Sequence, residues 1–294
     1  MKRFIKILFT TLLVLSLAFS FIACGNAEGD GDNEVKGIKY KKDAKTGLYT
    51  IYGYVQEDGK TELDLDAEIK LAVGEEAEVG KIATGAFSGN DALTKITVPD
   101  TVIEISAGAF KNMNKLEELV LPFIGKTANS DLYYDEPSVG GENEDVEKSV
   151  DAERTFAYIF GTDAYEKGSP ITVNYGASEA TYYIPAYFKK VTISTSKPYS
   201  VPMYAFSGIA LVREVVLCNT IDAIGEGAFS NCHDLVSVSI PSSVTAIYTK
   251  AFKDSANFGK NLEASEKLSV KAFIDGVAKC ENVMDIYAGT YLAD

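Results

Sequence analysis

Apolar residues recur along this chain in a fixed frame. An aliphatic residue is followed, after three variable positions, by Ala-Phe. The frame appears at Ile82 with Ala86-Phe87, Ile105 with Ala109-Phe110, Val201 with Ala205-Phe206, Ile224 with Ala228-Phe229, Ile247 with Ala251-Phe252 and Leu268 with Ala272-Phe273. Ile82 to Ile105, Val201 to Ile224 and Ile224 to Ile247 are each 23 residues. The remainder of the unit keeps register. Phe229 leads to Cys232, Leu235, Val238, Ile240, Pro241 and Val244, and Phe87 leads to Leu93, Ile96, Val98, Pro99 and Val102. A last, looser copy runs through Cys280, Val283, Ile286 and Ala288. The alternating pair, such as Val238 and Ile240, predicts a short strand with one buried face. The proline after it lacks an N–H to continue a ladder and ends the strand. The Ala-Phe segment predicts a return turn, in which Ala permits close packing and Phe fills the space between neighbours. One such unit cannot bury its own apolar face, so the units must stack.

Self-similarity at this period belongs to the leucine-rich class. The expected fold is a β-rich α/β leucine-rich-repeat solenoid. A curved parallel sheet forms one side, and short turns or 3₁₀ segments form the other. The stretch from Ile224 to Ile247 (IGEGAFSNCHDLVSVSIPSSVTAI) resembles the consensus of the BspA-type leucine-rich-repeat family of bacterial surface proteins. Two less regular features also resemble that family. Leu121-Pro122-Phe123-Ile124-Gly125, with Tyr158-Ile159-Phe160-Gly161 later, is similar to a recurring insert. Gly47 to Tyr54, followed by Glu68-Ile69-Lys70-Leu71, is similar to an N-terminal hairpin and first strand, with the hairpin capping the open end of the sheet. The resemblance implies adhesion, or binding of host and matrix proteins.

The start of the chain reads as a processing segment. Lys2, Arg3 and Lys6 form a basic beginning, and Ile7 to Ile22 is an uncharged apolar run of 16 residues. That is shorter than the roughly 18–20 residues that span a bilayer comfortably, and a secretory signal is expected at residues 1–23. Phe21-Ile22-Ala23-Cys24 resembles a bacterial lipobox, although Phe21 departs from the usual leucine. The resemblance implies lipidation at Cys24. An ordinary signal peptide and an uncleaved anchor are the alternatives. Residues 24–36 are Gly- and acid-rich and read as a flexible tether. Residues 37–81 are expected to form the cap and first strand, 82–122 and 183–294 the repeats, and 123–182 an irregular acidic insert. Phe156, Tyr158, Ile159, Phe160, Tyr182 and Tyr183 are expected to pin the insert's ends to the solenoid.

Without the signal the chain carries 25 Lys and Arg against 42 Asp and Glu, a net charge of −17. Nucleic acid and anionic lipid both demand a basic patch, so this balance argues against either as a charge-driven partner. The acidic centre of the insert, including Glu142, Glu144 and Asp145, raises the question of calcium, but it does not match an EF-hand loop. His233 is the sole histidine and falls in a turn between core positions. HExxH, Walker and GxSxG patterns are absent. Cys232 and Cys280 occupy equivalent core positions, whereas Cys218 stands where other copies have proline and is the more exposed thiol. No catalytic residue, metal ligand or cofactor is expected, and the chain is not read as an enzyme.

Residues between the buried strand positions must face the opposite way. They are Lys95 and Thr97, Glu118 and Val120, Lys190 and Thr192, Glu214 and Val216, Ser237 and Ser239, and Asp285 and Tyr287. This row is the expected ligand-binding face, for an unidentified protein or matrix partner, with the membrane engaged only through the N-terminal lipid. A structural or glycan-binding envelope protein is the alternative.

Overall fold

The computed structural model describes residues 37–128, 152–175, 178–248 and 251–255. The expected signal, Cys24, the acidic centre of the insert, the Leu268 copy, Cys280, Asp285 and Tyr287 all lie outside them. The elements are β1 (Gly37–Lys42), β2 (Tyr49–Val55), β3 (Glu62–Asp64), helix α1 (Leu65–Val73), β4 (Val79–Ile82), β5 (Lys95–Thr97), β6 (Glu104–Ile105) and β7 (Glu118–Leu121). After the 3₁₀ segments Ala152–Arg154 and Phe156–Phe160 come β8 (Gly168–Tyr175), β9 (Ser178–Pro185), β10 (Lys190–Ile193), β11 (Tyr199–Val201), β12 (Glu214–Leu217), β13 (Ile221–Ile224), β14 (Ser237–Ser239) and β15 (Ala246–Ile247).

The fold is the expected leucine-rich-repeat solenoid. The alternating pairs build one parallel sheet in the order β14-β12-β10-β7-β5-β3. Its inward positions Leu63, Ile96, Leu119, Val191 and Val215 are buried. Val238 on β14 and Ile240 just after it, also expected in the core, are only partly buried, β14 being the last strand of the sheet among the described residues.

The return side is more regular than turns alone. The aliphatic residue that opens each Ala-Phe frame ends a very short strand. These strands form two further ladders, β1-β2-β4-β6 and β11-β13-β15. Beyond each strand the Phe amide donates to a carbonyl one coil on: Phe87 to Ala109 at 3.0 Å, Phe206 to Ala228 at 2.7 Å and Phe229 to Ala251 at 2.7 Å. The rings stack in consequence. Phe87 and Phe110 lie 5.3 Å apart at 4°, Phe206 and Phe229 5.1 Å apart at 8°, and Phe229 and Phe252 5.2 Å apart at 9°. Burying one such ring is worth about 1.5–3 kcal/mol. Two residues past each Phe the backbone turns left-handed. Gly89, Asn112, Gly208, Asn231 and Asp254 occupy that position, the residue types that tolerate it.

Cys232 stands in this core, with its thiol 3.0 Å from the Phe206 carbonyl. Burial pushes the thiol up to about 12, against a smaller opposing pull from a backbone hydrogen bond at Ile209. It should therefore resist alkylation in the native chain at mildly alkaline pH and react after unfolding, while half-buried Cys218 reacts first. Peptide mass mapping checks this, and rapid native labelling of Cys232 would contradict the packing.

Three expectations are corrected. Glu68-Ile69-Lys70-Leu71 is not a strand but part of α1. Asp64 caps that helix, accepting from the amides of Asp66 and Ala67, and the buried pair Leu65 and Ile69 has helical spacing while Leu71 is exposed. The first strand of the main sheet is β3. The β1–β2 hairpin, expected to cap that sheet, instead extends the return-side ladder, where β2 pairs with β4.

The irregular insert also contains a coil of its own. β10 pairs directly with β7, Glu118 beside Lys190, so 72 residues make a single turn of the solenoid. Phe156–Phe160 supplies its return side. Phe110 donates to the Ile159 carbonyl at 3.0 Å, and Phe156 donates to Ala205 at 2.8 Å. Phe156, Ile159, Phe160 and Tyr182 are buried, while Tyr158 and Tyr183 are half-buried. The rest is two excursions. One leaves after residue 128, its stem closed by Lys126 and Glu153, whose side chains meet at 2.8 Å. The other is the antiparallel β8–β9 hairpin, which buries Ile171, Val173, Tyr182 and Ile184.

Candidate functional site

Parallel pairing without slips brings the outward residues of the main sheet into two straight rows. The first reads Glu62, Lys95, Glu118, Lys190, Glu214, Ser237. The second reads Asp64, Thr97, Val120, Thr192, Val216, Ser239. Neighbouring strands in a sheet lie roughly 4.8 Å apart. The first row is therefore an alternating ladder of anion and cation, and most of the second is an uncharged stripe of β-branched residues. The described members of the expected face all stand in these rows. Asp285 and Tyr287 lie outside the described residues.

The charges are largely paired within the row. Lys95 Nζ lies 3.2 Å from Glu118 Oε1, and Lys190 Nζ lies 3.1 Å from Glu214 Oε1. A flanking pair, Glu117 with Lys189, repeats the pattern at the residues just before β7 and β10. Half-exposed pairs of this kind contribute about 0–1 kcal/mol each to stability. The row nearly neutralises itself within a strongly acidic chain. The face can therefore meet a partner of either sign without strong repulsion.

Sequence reading missed Glu62 and Asp64, because it placed the first strand at residues 68–71. The alternation of Glu62, buried Leu63 and Asp64 was the available signal. It also missed the flanking pair. The doubled Glu117-Glu118 and Lys189-Lys190 at one repeat position, with opposite signs, could have revealed it.

At the far end of the strands a side-chain clasp holds the loops. Asp100, after β5, accepts from the Thr195 hydroxyl at 2.7 Å and from the Ser196 amide at 2.9 Å, and it also meets the Ser196 hydroxyl. Burial pushes the Asp100 carboxyl up, but these hydrogen bonds outweigh it and hold it below its ordinary 3.8. The clasp joins the loops after β5 and β10. The turn after β7 between them, residues 122–125, is buried. Ile124 donates its amide there to the Tyr199 hydroxyl at 2.9 Å.

The candidate chemical groups singled out in the sequence, His233 and Cys218, lie apart from one another among the described residues. His233 is exposed in its turn. Cys218 is occupied by Thr220, 2.9 Å from its sulfur, and by Thr195. Among the described residues, no group of three or more His, Cys, Asp or Glu could hold a metal ion.

The BspA type leucine rich repeat region matches the chain in 6 copies, over residues 73–139 and 177–275. No curated protein is similar to it. Among solved structures, the Treponema pallidum leucine-rich repeat protein TpLRR is 18% identical, covering 78% of this chain and 69% of its own, with a TM-score of 0.32. A Bacteroides ovatus leucine-rich repeat protein is also 18% identical, covering 78% and 52%, with a TM-score of 0.36. A leucine rich cell surface protein of Faecalibacterium prausnitzii is 21% identical, covering 75% and 45%, with a TM-score of 0.33. The chain thus spans about half the length of the last two.

Proposed function

Since this chain belongs to the BspA-type leucine-rich-repeat family, we propose that it is a surface-displayed protein-binding scaffold that captures an extracellular or matrix protein on the outward face of its main sheet. The family supports a role in protein interaction at the cell surface. One observation carries the choice of face: five successive strands present Lys95, Glu118, Lys190, Glu214 and Ser237 in one unbroken register, beside the level stripe from Thr97 to Ser239. Solenoids use such extended faces to hold macromolecules. Specificity would come from matching an alternating pattern of charge, which rejects partners that place like charges opposite it. A glycan ligand or a purely structural envelope role is the second reading; Tyr287, the one aromatic residue of the expected face, would favour a sugar.

The test follows from the pairing. Lys95→Gln, Glu118→Gln, Lys190→Gln and Glu214→Gln together remove both ion pairs without stranding a charge. Capture of purified matrix proteins should fall at least tenfold, a change of about 1.4 kcal/mol, while the unfolding midpoint stays close to that of the parent. Undiminished capture of a protein that the parent binds would remove the face from consideration.

Display is assigned to lipid on Cys24, with residues 25–36 as the tether. Metabolic palmitate should label the parent chain and not its Cys24→Ala variant. Equal labelling of the two would overturn the anchor.

A further inference from the structure

Net charge pointed away from anionic surfaces, yet the structure gathers free cations at one place. Lys39, Lys41, Lys42 and Lys45 lie on β1 and the turn that follows it, all exposed, and none of them makes an ion pair. Elsewhere the lysines are mostly neutralised: Lys60, Lys70, Lys81, Lys95, Lys111 and Lys126 each hold a carboxylate at 3.2 Å or less. From Gly37 to Tyr52 the sole acid is Asp43. Its carboxylate accepts from the amides of Lys45 and Thr46 at 2.7 and 2.9 Å, so it serves the turn. Cations outnumber it by three across this hairpin.

The register sorts these residues onto faces. Tyr40 pairs with buried Ile51 and packs on the core. Lys39 pairs with Gly53, and Lys41 with Thr50, on the opposite side. The stem of Lys39 lies along Gly53, where a Cβ would meet its Cδ at 3.1 Å. Between Gly53 and Ile51 the irregularity in pairing leaves Tyr52 facing outward, 53% exposed. Lys42 sits over the Tyr49 ring at 5.5 Å, toward the turn end of the hairpin. The outward face thus combines free lysines with one exposed aromatic ring.

We propose that this outward face of the β1–β2 hairpin, with Lys42 and Lys45 at its end, docks on the anionic headgroups of a phospholipid bilayer. Lysine stems and a tyrosine ring suit the headgroup level, where the apolar part of each can enter while its polar end stays wet. The chain's other carboxylates are screened beyond about 8–10 Å in physiological salt, so the local excess of cations governs contact. β1 begins 13 residues after Cys24. In sequence, then, the hairpin lies next to the residue proposed to carry the lipid. The rival occupant is the tether itself, with Glu28, Asp30, Asp32 and Glu34. Charge alone would serve that rival, but a Gly- and Asp-rich segment offers nothing to the Tyr52 ring.

The chain contains no tryptophan, so Tyr52→Trp places a single reporter at the proposed contact. The full chain carrying it should show blue-shifted emission, quenched by brominated acyl chains, on vesicles of equal phosphatidylcholine and phosphatidylglycerol. On phosphatidylcholine alone, which any lipid or apolar segment at the N-terminus enters equally, the shift should be absent. High salt, or Lys39→Gln, Lys41→Gln, Lys42→Gln and Lys45→Gln together, should abolish it. The same emission on both vesicle types, or indifference to the four substitutions, overturns the proposal. A response to soluble polyphosphate but not to vesicles would reassign the cluster to an anionic polymer. A response that appears only after Glu28→Gln, Asp30→Asn, Asp32→Asn and Glu34→Gln would show the tether to be its occupant. Capture on the main sheet is not read by this assay, so the two proposals stand or fall separately.

Discussion

Phe156→Ala should destabilise the chain by about 3–5 kcal/mol, the usual loss for deleting a fully buried aromatic ring. Phe156 is fully buried, and its ring touches three others: Phe206 at 5.0 Å, Phe160 at 5.4 Å and Phe188 at 5.5 Å. It provides the link between the insert's coil and the coils after β10, so its cavity would open where the array has least redundancy. Denaturant unfolding followed by circular dichroism reads the loss. Tyr187→Ala, at a ring 61% exposed nearby, serves as the control and should change stability by no more than about 0.5 kcal/mol. A Phe156→Ala chain as stable as that control would mean that residues 156–160 are not a structural coil.

Gly125→Ala should cost on the order of 3 kcal/mol, from two sources. The residue has φ +83°, and holding a side chain in the left-handed region costs roughly 1–2 kcal/mol. An added Cβ would also stand 2.2 Å from the Glu153 carbonyl oxygen and 2.9 Å from the Arg154 backbone. Backbone cannot swing aside like a flexible side chain, so the stem must part, and overpacking of this kind adds about 1–3 kcal/mol. Hydrogen exchange separates this from general loosening. The amides of Ile105 and Lys126, which bond to Lys126 and Glu153 at 2.8 and 2.7 Å, should exchange faster, while those of β12 and β13 keep their protection. Gly59→Ala, also left-handed at +77° but with nothing within 4 Å, carries the first cost alone and should be milder. Unchanged exchange at Lys126 would show that the stem has room to adjust.

The repeats were legible in the sequence because each position answers a separate physical demand: an aliphatic pair for the strand, a breaker after it, and Ala-Phe for the return. Twenty-three residues leave little freedom to satisfy those demands otherwise. The rows on the outward face followed from the same register. Their alternation of sign was harder to see. Glu118 and Lys190 are neighbours in space but 72 residues apart in the chain, and nothing local announces that β7 lies beside β10.

Two structural elements were hidden for opposite reasons. Helix α1 buries only Leu65 and Ile69, too few positions to display a period, and its clearest mark was the cap at Asp64. The coil at Phe156–Phe160 keeps the apolar content of an Ala-Phe frame but permutes its order, so a search by spacing passes over it. The strands β6 and β15, two residues each, are ladder positions that exist only because their neighbours are in place.

The long coil also bears on how the chain reaches this state. A solenoid of even coils can zip from any nucleus, since every new contact closes a loop of the same short length. Among the described coils the step from β3 to β5, Glu62 to Lys95, is already longer than the rest, and the step from β7 to β10 is the longest by far. Closing 72 residues in place of 23 costs about 1 kcal/mol more in chain entropy, before any contact repays it. That closure is held by residues 156–160, docked between Phe110 and Phe206, so the contacts made there offset the largest single entropic cost among the described coils.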